Sequence, residues 1–442
     1  MHFVASLRHL WRHQKFRRLV GVRAVAQTSD GMVQVGLASY VLFSPYQQPD
    51  GWSIATVLAI TLLPFSVLGP FVSIVLDRWS RRQIMVVTDS CRVALALTIG
   101  GLVVTGQRTP AISAAIMLTA LVAMSANRFV LAGLSSALPH TIEPDEYLSA
   151  NTIMPVIGPV GVVIGGAAAI GIRQVFGRIM ETYQADALVF VVAAVGFATS
   201  ASLASWFPRR ALGPDHEHHH SAREVLVGLR AAFGHLAHRR PAAAGLATIG
   251  LQRIVFGIAM VGTILAYRNH FHRLEDVDAA MVDIGLWAGA TGVGFFLSSA
   301  VSPPLAARLG MRRWMVVLLV AVALIQAFPG SVFTRPTLVA ASFMLGLGAQ
   351  SLKICTDTLV QAHIDDTYKG RVFIIYDMVF NAALAIAAAI AALVLPPDGV
   401  SVPIFLGLSV AYGLIAVAFT VASRRIGPAL FDRGTESAAG RS

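Results

Sequence analysis

Runs of about 20 apolar residues recur along the whole chain, and no other feature limits its fold as strongly. At 1.5 Å per residue such a run matches the hydrocarbon thickness of a bilayer. Backbone amides in lipid must find partners within their own segment. Without the period-two alternation of a barrel strand, these runs read as helices. With Pro, Gly and charge clusters as punctuation, spans 1 to 12 are predicted at residues 19–43, 53–76, 84–105, 111–138, 152–172, 187–207, 242–267, 282–302, 314–333, 336–360, 371–395 and 403–423. Composition agrees: of 442 residues 56% are hydrophobic and 13% charged, about half the charge of a soluble protein, which excludes a single aqueous domain. Cys91 and Cys355 both lie in apolar stretches and offer no disulfide framework. The first apolar run is long enough to span and has no small-residue cleavage site after it, so no cleaved signal peptide is expected.

The net charge of +11 raises the question of a nucleic-acid role, and its distribution answers it. With both termini cytoplasmic, 23 of the 34 Lys and Arg fall on cytoplasmic segments and 6 on outer loops. The basic excess is therefore topological, and no nucleic-acid partner is expected. The longest cytoplasmic segment, 208–241, separates six spans from six. Within it Val225, Leu226, Leu229, Phe233 and Leu236 recur at helical spacing beside Arg223 and Arg230, the pattern of a helix lying on the inner leaflet. Residues 1–18 read the same way, with Leu10 and Trp11 among Arg8, Arg12, Lys15, Arg17 and Arg18. In both places a solvated connector is the alternative to contact with membrane lipids. The expected organisation is 1–18 as an amphipathic segment, 19–207 as a first six-helix bundle, 208–241 as the central loop, 242–423 as a second bundle, and 424–442 as a tail.

The loop after span 2 contains Asp77, Arg78, Trp79, Ser80, Arg81 and Arg82, and the loop after span 8 contains Ala307, Arg308, Leu309, Gly310, Met311, Arg312 and Arg313. Two basic loops six spans apart suggest a parallel duplication and two pseudo-symmetric six-helix bundles. The first loop is similar to the signature Gly-x-x-x-Asp-Arg-x-Gly-Arg-Arg, with Ser73 and Ser80 at the glycine positions. Further on come Asn127-Arg128 to Gly133, then Leu138-Pro139-His140, Glu143, Asp145 and Glu146, and Ala150-Asn151. Gly158-Pro159-Val160-Gly161 with Gly165-Gly166 is similar to an antiporter motif whose glycine pair is displaced. On these residues the chain resembles the major facilitator superfamily, in particular its enterobactin-exporter-like branch of bacterial efflux permeases.

That resemblance implies a transporter in the bacterial plasma (inner) membrane, acting as a monomer, with spans 1, 4, 7 and 10 lining a central cavity. It implies a conformational lock at Asp77, Arg78, Arg81 and Arg82, with Asp77 against the amino end of span 11. Serine at the glycine positions would loosen the lock, and Ala307 implies that the second half has none.

An ionisable side chain at bilayer depth is expensive unless paired or hydrated, so each is a functional candidate. Asp30, beside Gln27 and Gln34, is placed near mid-membrane in span 1, Arg128 in span 4, Arg253 in span 7, and Lys353 with Asp357 on one face of span 10. Asp30 reads either as a proton carrier or as one half of a fixed salt bridge to Arg253 or Arg128. Lys353 and Asp357 read either as coupling residues or as a self-neutralising pair. Arg23, Asp89, Arg92 and Asp377 are placed nearer the cytoplasmic surface, where structural pairing is favoured. The glycines of span 8, Gly285, Gly289, Gly292 and Gly294, are expected to permit close helix contact. His216-Glu217-His218-His219-His220 is the one run with metal-ligand chemistry, and it reads as a solvated linker in preference to a metal sensor.

No phosphate loop, nucleophile elbow or His-Glu-x-x-His motif occurs, so neither an ATP-driven device nor an enzyme is expected. The reading is a secondary active transporter that exports an amphipathic small molecule by alternating access, such as a drug, siderophore or lipid-like metabolite. A proton gradient is the energy source, no cofactor is involved, and the basic residues in the chamber favour an anionic substrate. Uptake or lipid flipping on the same fold is the alternative, and a non-transporting membrane receptor or scaffold is the alternative of another class.

Overall fold

The computed structural model describes residues 10–42, 49–72, 79–107, 109–143, 146–209, 211–213, 222–273 and 275–432. Among them thirteen long helices run in order: α1 (Gln14–Leu42), α2 (Gly51–Val67), α3 (Arg81–Val103), α4 (Pro110–Ala137), α5 (Tyr147–Phe176), α6 (Thr182–Ser205), α7 (Ala222–His238), α8 (Arg240–Leu265), α9 (Val277–Leu309), α10 (Met311–Ala327), α11 (Arg335–His363), α12 (Asp366–Val394) and α13 (Val402–Ile426). α1–α6 and α8–α13 follow the twelve predicted spans, and α7 is the helix of the central loop. Among the described residues ten helices are both long and apolar enough to cross a membrane. The others of the twelve are α1, whose apolarity Gln27, Thr28, Ser29, Asp30 and Gln34 reduce, and α10, which has only 17 residues.

Several helix starts are written locally as a hydroxyl followed by proline. The Thr109 side chain accepts from the Ile112 amide ahead of Pro110, Thr334 from Thr337 with Pro336 inside the first turn, and Ser401 from Ile404 with Pro403. The hydroxyl satisfies an orphan amide, and proline forfeits only a donor that has no partner there. Ser80 caps α3 in the same way through the Gln83 amide. It thus has a structural use at a position where the signature carries glycine.

The chain divides into two compact units, one holding α1 and α3–α6 and the other α2 with α7–α13. The sequence grouped α2 with the first bundle. Its place in the second unit follows from its length of contact with α12. At one end a Cβ added to Gly51 would lie 2.6 Å from the Ala392 Cα, and at the other the Ser66 hydroxyl donates to the Met378 carbonyl at 3.0 Å.

In the first unit α1 is the helix that the others surround. Gly31 of α1 and Gly165 of α5 each bring backbone against backbone, Gly31 on the Val162 carbonyl and Gly165 on the Thr28 carbonyl, while Gly161 faces Gln27. The glycine-rich stretch of α5 is thus a seat for α1. Around it Phe16, Leu19, Val22, Ala26, Leu134 and Phe207 form a fully enclosed apolar cluster. In the second unit Gly294 and Gly346 let α9 and α11 approach in the same manner, whereas a Cβ at Gly285, Gly289 or Gly292 would meet nothing within 4 Å. Only one of the four predicted close-contact glycines of span 8 therefore meets another helix.

Each unit also folds the segment after its last helix onto the start of its third from the sequence repeat. The Arg81 amide of α3 donates to the Gly213 carbonyl at 3.3 Å, and the Arg312 amide of α10 to Asp432 Oδ1 at 3.4 Å. A Cβ at Gly213 would lie 2.9 Å from His140 Nε2, and His363 Nε2 contacts the Leu430 carbonyl at 2.8 Å. Helix amino ends have unpaired amides, so both repeats supply an acceptor there.

α7 lies on the ends of α8, α11 and α12. Ala232 and Leu236 enter a cluster with Leu246, Val360, Ile364 and Tyr376, His235 stacks on Tyr368 at 4.4 Å, and Arg239 grips Asp365 at 2.7 and 2.9 Å. The predicted apolar stripe divides accordingly: Leu229 and Leu236 dock, while Leu226 and Phe233 are exposed.

Candidate functional site: buried charge within each unit

Arg92 is the twelfth of the 23 residues of α3, and Asp30 the seventeenth of the 29 of α1, so both lie near the middle of their helices. Arg92 Nη2 donates to Asp30 Oδ1, and Arg92 Nη1 donates to Asp89 Oδ1 at 2.9 Å. All three side chains are wholly inaccessible. The Phe197 ring covers the guanidinium at 3.9 Å. The second oxygen of Asp30 accepts from Gln27 Nε2 at 2.8 Å, with Asn127 Oδ1 at 3.4 Å from the same nitrogen. The second oxygen of Asp89 accepts from the Ser200 hydroxyl at 2.6 Å. The cluster therefore ties α1, α3, α4 and α6 together through one cation and two carboxylates. With every group ionised it carries a charge of −1, and with one added proton it is neutral.

This arrangement corrects two expectations. Asp30 is paired, and its partner is Arg92 of α3 rather than Arg128 or Arg253. Asp89 and Arg92 are paired but are not superficial. α3 begins at Arg81, three residues before the predicted start, so Arg81 and Arg82 fill the first turn and Arg92 moves to mid-helix. Gln34 is half-buried one turn beyond Asp30, and Arg128 half-buried beside Asn127.

A second buried pair went unforeseen. Arg173 Nε lies 3.5 Å from Asp186 Oδ1, both almost wholly buried, and Ser39 bridges them by donating to Asp186 at 3.3 Å and accepting from Arg173. The sequence reading ended span 5 at residue 172 and left Arg173 in a loop, whereas α5 continues to Phe176.

In the second unit Lys353 Nζ binds Asp357 Oδ2 at 2.8 Å, each a little over a quarter exposed. Arg253, the fourteenth of the 26 residues of α8, lies over the Phe380 ring of α12 at 3.8 Å and 5.7 Å from the Phe256 ring. Lys353 approaches the same Phe380 ring at 5.6 Å and Tyr376 at 5.2 Å. The structure thus brings Arg253 and Lys353, the latter paired with Asp357, to one aromatic side chain, Phe380, that the sequence does not single out. Elsewhere in the second unit a small cavity is lined by Phe256, Met260, Trp287, Thr291 and Gln326 among others.

Of the expected lock, Asp77 and Arg78 lie outside the described residues, as does the histidine run 216–220. Arg82 donates to the Ser205 carbonyl at 2.8 Å and Arg18 to the Trp206 carbonyl at 3.2 Å, so both cap the carboxyl end of α6 inside the first unit. Among the described residues no group of three or more His, Cys, Asp or Glu could hold a metal ion.

The sequence model described as Major Facilitator Superfamily matches residues 24–388. An uncharacterized MFS-type transporter of Mycobacterium tuberculosis is 32% identical over 422 residues, 94% of this chain and 92% of the relative, and a counterpart in Mycobacterium bovis matches to the same degree. Among solved structures, the nucleoside transporter NupG superposes with a TM-score of 0.67 at 13% identity, covering 92% of this chain and 99% of that one. A bacterial homologue of the iron transporter ferroportin in its outward-facing state gives a TM-score of 0.60 at 16% identity, covering 92% and 99%. At such identities these likenesses carry the fold alone.

Proposed function

Because the chain belongs to the Major Facilitator Superfamily, and is thus a multi-pass membrane transporter and not an enzyme, we propose that it exports an amphipathic small molecule in exchange for protons, by alternating access. The observation that carries this reading is the sharing of one buried guanidinium by two buried carboxylates. Buried charge is tolerated when paired, and a two-to-one cluster always leaves one carboxylate in excess. Taking up one proton brings the cluster to neutrality, and losing it restores the charge.

Asp30 is the better acceptor of that proton. Asp89 keeps Arg92 within its own helix and also has the Ser200 hydroxyl, so a neutral Asp30 leaves a complete one-to-one pair on α3. The bond between α1 and α3 is then weakened, while α1 stays seated on α5 through Gly31, Gly161 and Gly165. Proton binding in this way changes which helices α1 is fastened to, and a proton gradient supplies the free energy without a cofactor. Export is supported by the resemblance to the efflux branch, and the charge bias supports a bacterial plasma membrane with both termini cytoplasmic. A monomer suffices for this scheme, since each unit contains its own charged cluster.

The test is infrared difference spectroscopy on the purified full chain between about pH 5 and pH 8. A carboxylic-acid carbonyl band that titrates in the wild type and is lost in Asp30→Asn supports the reading. A titrating band unchanged in both Asp30→Asn and Asp89→Asn overturns it. In proteoliposomes, the pH dependence of transport should disappear in Asp30→Asn.

A further inference from the structure

We infer that residues 427–432 form a pH-sensitive strap, which fastens the end of α13 to α10 and α11 while His363 is an imidazolium and loosens when that ring loses its proton. The strap lies within the second unit and does not depend on the transport scheme above.

Two of its fastenings are fixed. Gly427 has a φ of +120°, a conformation open to glycine, and its amide donates to the Ser423 carbonyl at 3.2 Å, so the chain turns as α13 ends. Beyond the turn Phe431 is wholly buried and meets the Phe419 ring of α13 edge-on at 5.7 Å, which makes it the apolar anchor. Asp432 Oδ1 accepts from the Arg312 amide at 3.4 Å, at the amino end of α10, where orphan amides and the helix dipole favour negative charge. Gly310 leaves room for that carboxylate, since a Cβ there would stand 2.9 Å from Asp432 Oδ1. The basic loop that carries Ala307 where its counterpart carries Asp77 thus receives a carboxylate from the strap.

The third fastening can be switched. His363 Nε2 lies 2.8 Å from the Leu430 carbonyl of the strap, and its Nδ1 lies 3.0 Å from the Leu359 carbonyl of α11. Both neighbours are acceptors only. A neutral imidazole donates to one of them and turns a lone pair on the other, whereas the imidazolium donates to both. Histidine is also the side chain whose charge changes nearest to neutrality. Losing the proton therefore removes a charge-assisted bond and leaves the strap to Phe431 and Asp432. Of the charged groups on the surrounding elements, Asp365 is held by Arg239 of α7 with His235 at 3.6 Å, Asp366 is held by Lys369, and Asp432 caps α10 at Arg312. Arg308, Arg313, Arg424 and Arg425 are exposed. Among the described residues the hydrogen bonds of His363 go to the two carbonyls alone, so the switch rests on them. The helix held here also carries Lys353 and Asp357, the latter six residues from His363, about 9 Å along the axis.

The test is electron paramagnetic resonance of a nitroxide at the exposed position 429, introduced as Ala429→Cys in the purified full chain with Cys91→Ser, which leaves only the buried Cys355 besides. Between about pH 5.5 and pH 8.5 the label should pass from an immobile to a partly mobile spectrum. The immobile-to-mobile ratio should fall about tenfold, the weight of one hydrogen bond to a charged donor. His363→Gln should flatten this dependence, and His363→Lys, which keeps a cation in place, should stay immobile throughout. Asp432→Asn should retain the dependence with a larger mobile share. Phe431→Ala should be mobile at both ends of the range, which establishes that the label reports the strap. A wild-type spectrum unchanged over the range, a dependence that survives in His363→Gln or His363→Lys, or one that vanishes in Asp432→Asn would each overturn the proposal.

Discussion

Asp30 and Asp89 lie on different helices of the first unit, yet each binds a different nitrogen of the same Arg92 guanidinium. Among the described residues neither carboxylate has another cation in contact. Their stabilisation is therefore linked, since a change in one alters the share of positive charge available to the other. This linkage gives α1 a charge-sensitive attachment to α3 in the interior of a bundle where water is excluded.

The linkage makes the three side chains unequal under mutation. Removing Arg92 leaves two carboxylates buried together, and Arg92→Gln should cost about 3–5 kcal/mol, the penalty for stranding buried charge. Asp30→Asn should cost far less, because a neutral amide remains beside Gln27 while Arg92 and Asp89 stay matched. Thermal unfolding in detergent checks the order, and equal losses for Arg92→Gln and Asp30→Asn would contradict the charge count.

The glycines give a second contrast. Gly165→Ala drives a methyl into the Thr28 carbonyl and should destabilise by about 1–3 kcal/mol, as overpacking does, with a matching loss of transport. Gly285→Ala adds a methyl where nothing lies within 4 Å and should be neutral or slightly stabilising in its helix. Melting temperature and initial transport rate of the two variants, measured side by side, decide it.

Much of this was legible from residue order, and the losses have identifiable causes. Apolar run length marked out the helices because backbone satisfaction in lipid leaves no other solution, and among the described residues ten of them are long and apolar enough to span. Arg92 was visible as a charge, but its depth depended on a helix start that Ser80 sets three residues earlier than hydropathy suggests. Hydropathy also treats every charge near a span end as loop, so Arg173 was lost although it is buried against Asp186. Which helix carries the partner of Asp30 is a tertiary fact. Periodicity within α1 cannot supply it, and Arg92 has a carboxylate of its own helix, Asp89, three residues away, so its order in the chain does not point to α1. The seating of α2 on α12 was hidden for the same reason, since small residues such as Gly51 and Ala392 mark a close approach without naming the partner.

The pair Arg173 and Asp186 should behave as a unit. Each single change, Arg173→Gln or Asp186→Asn, strands a buried charge and should cost about 3–5 kcal/mol. The double change should cost clearly less than the sum, with a coupling within the 0.5–3 kcal/mol or so seen for contacting residues. A double-mutant cycle on unfolding measures it, and strict additivity would show that the 3.5 Å approach carries no energy.

The docking of α7 separates packing from surface charge. Arg239 and Asp365 are each about half exposed, at 44% and 54%, so solvent screens their bidentate contact, and Arg239→Ala should cost under about 1 kcal/mol. Leu236 is only 4% exposed and enters the cluster with Leu246, Val360 and Ile364, so Leu236→Ala should cost about 2–5 kcal/mol of local packing. Hydrogen exchange read across residues 222–238 resolves the two: amides of α7 should exchange much faster in Leu236→Ala and nearly as in the wild type in Arg239→Ala. If instead the arginine variant releases the helix, the bidentate contact and not the leucine face fastens α7, and its attachment would then weaken steeply with added salt.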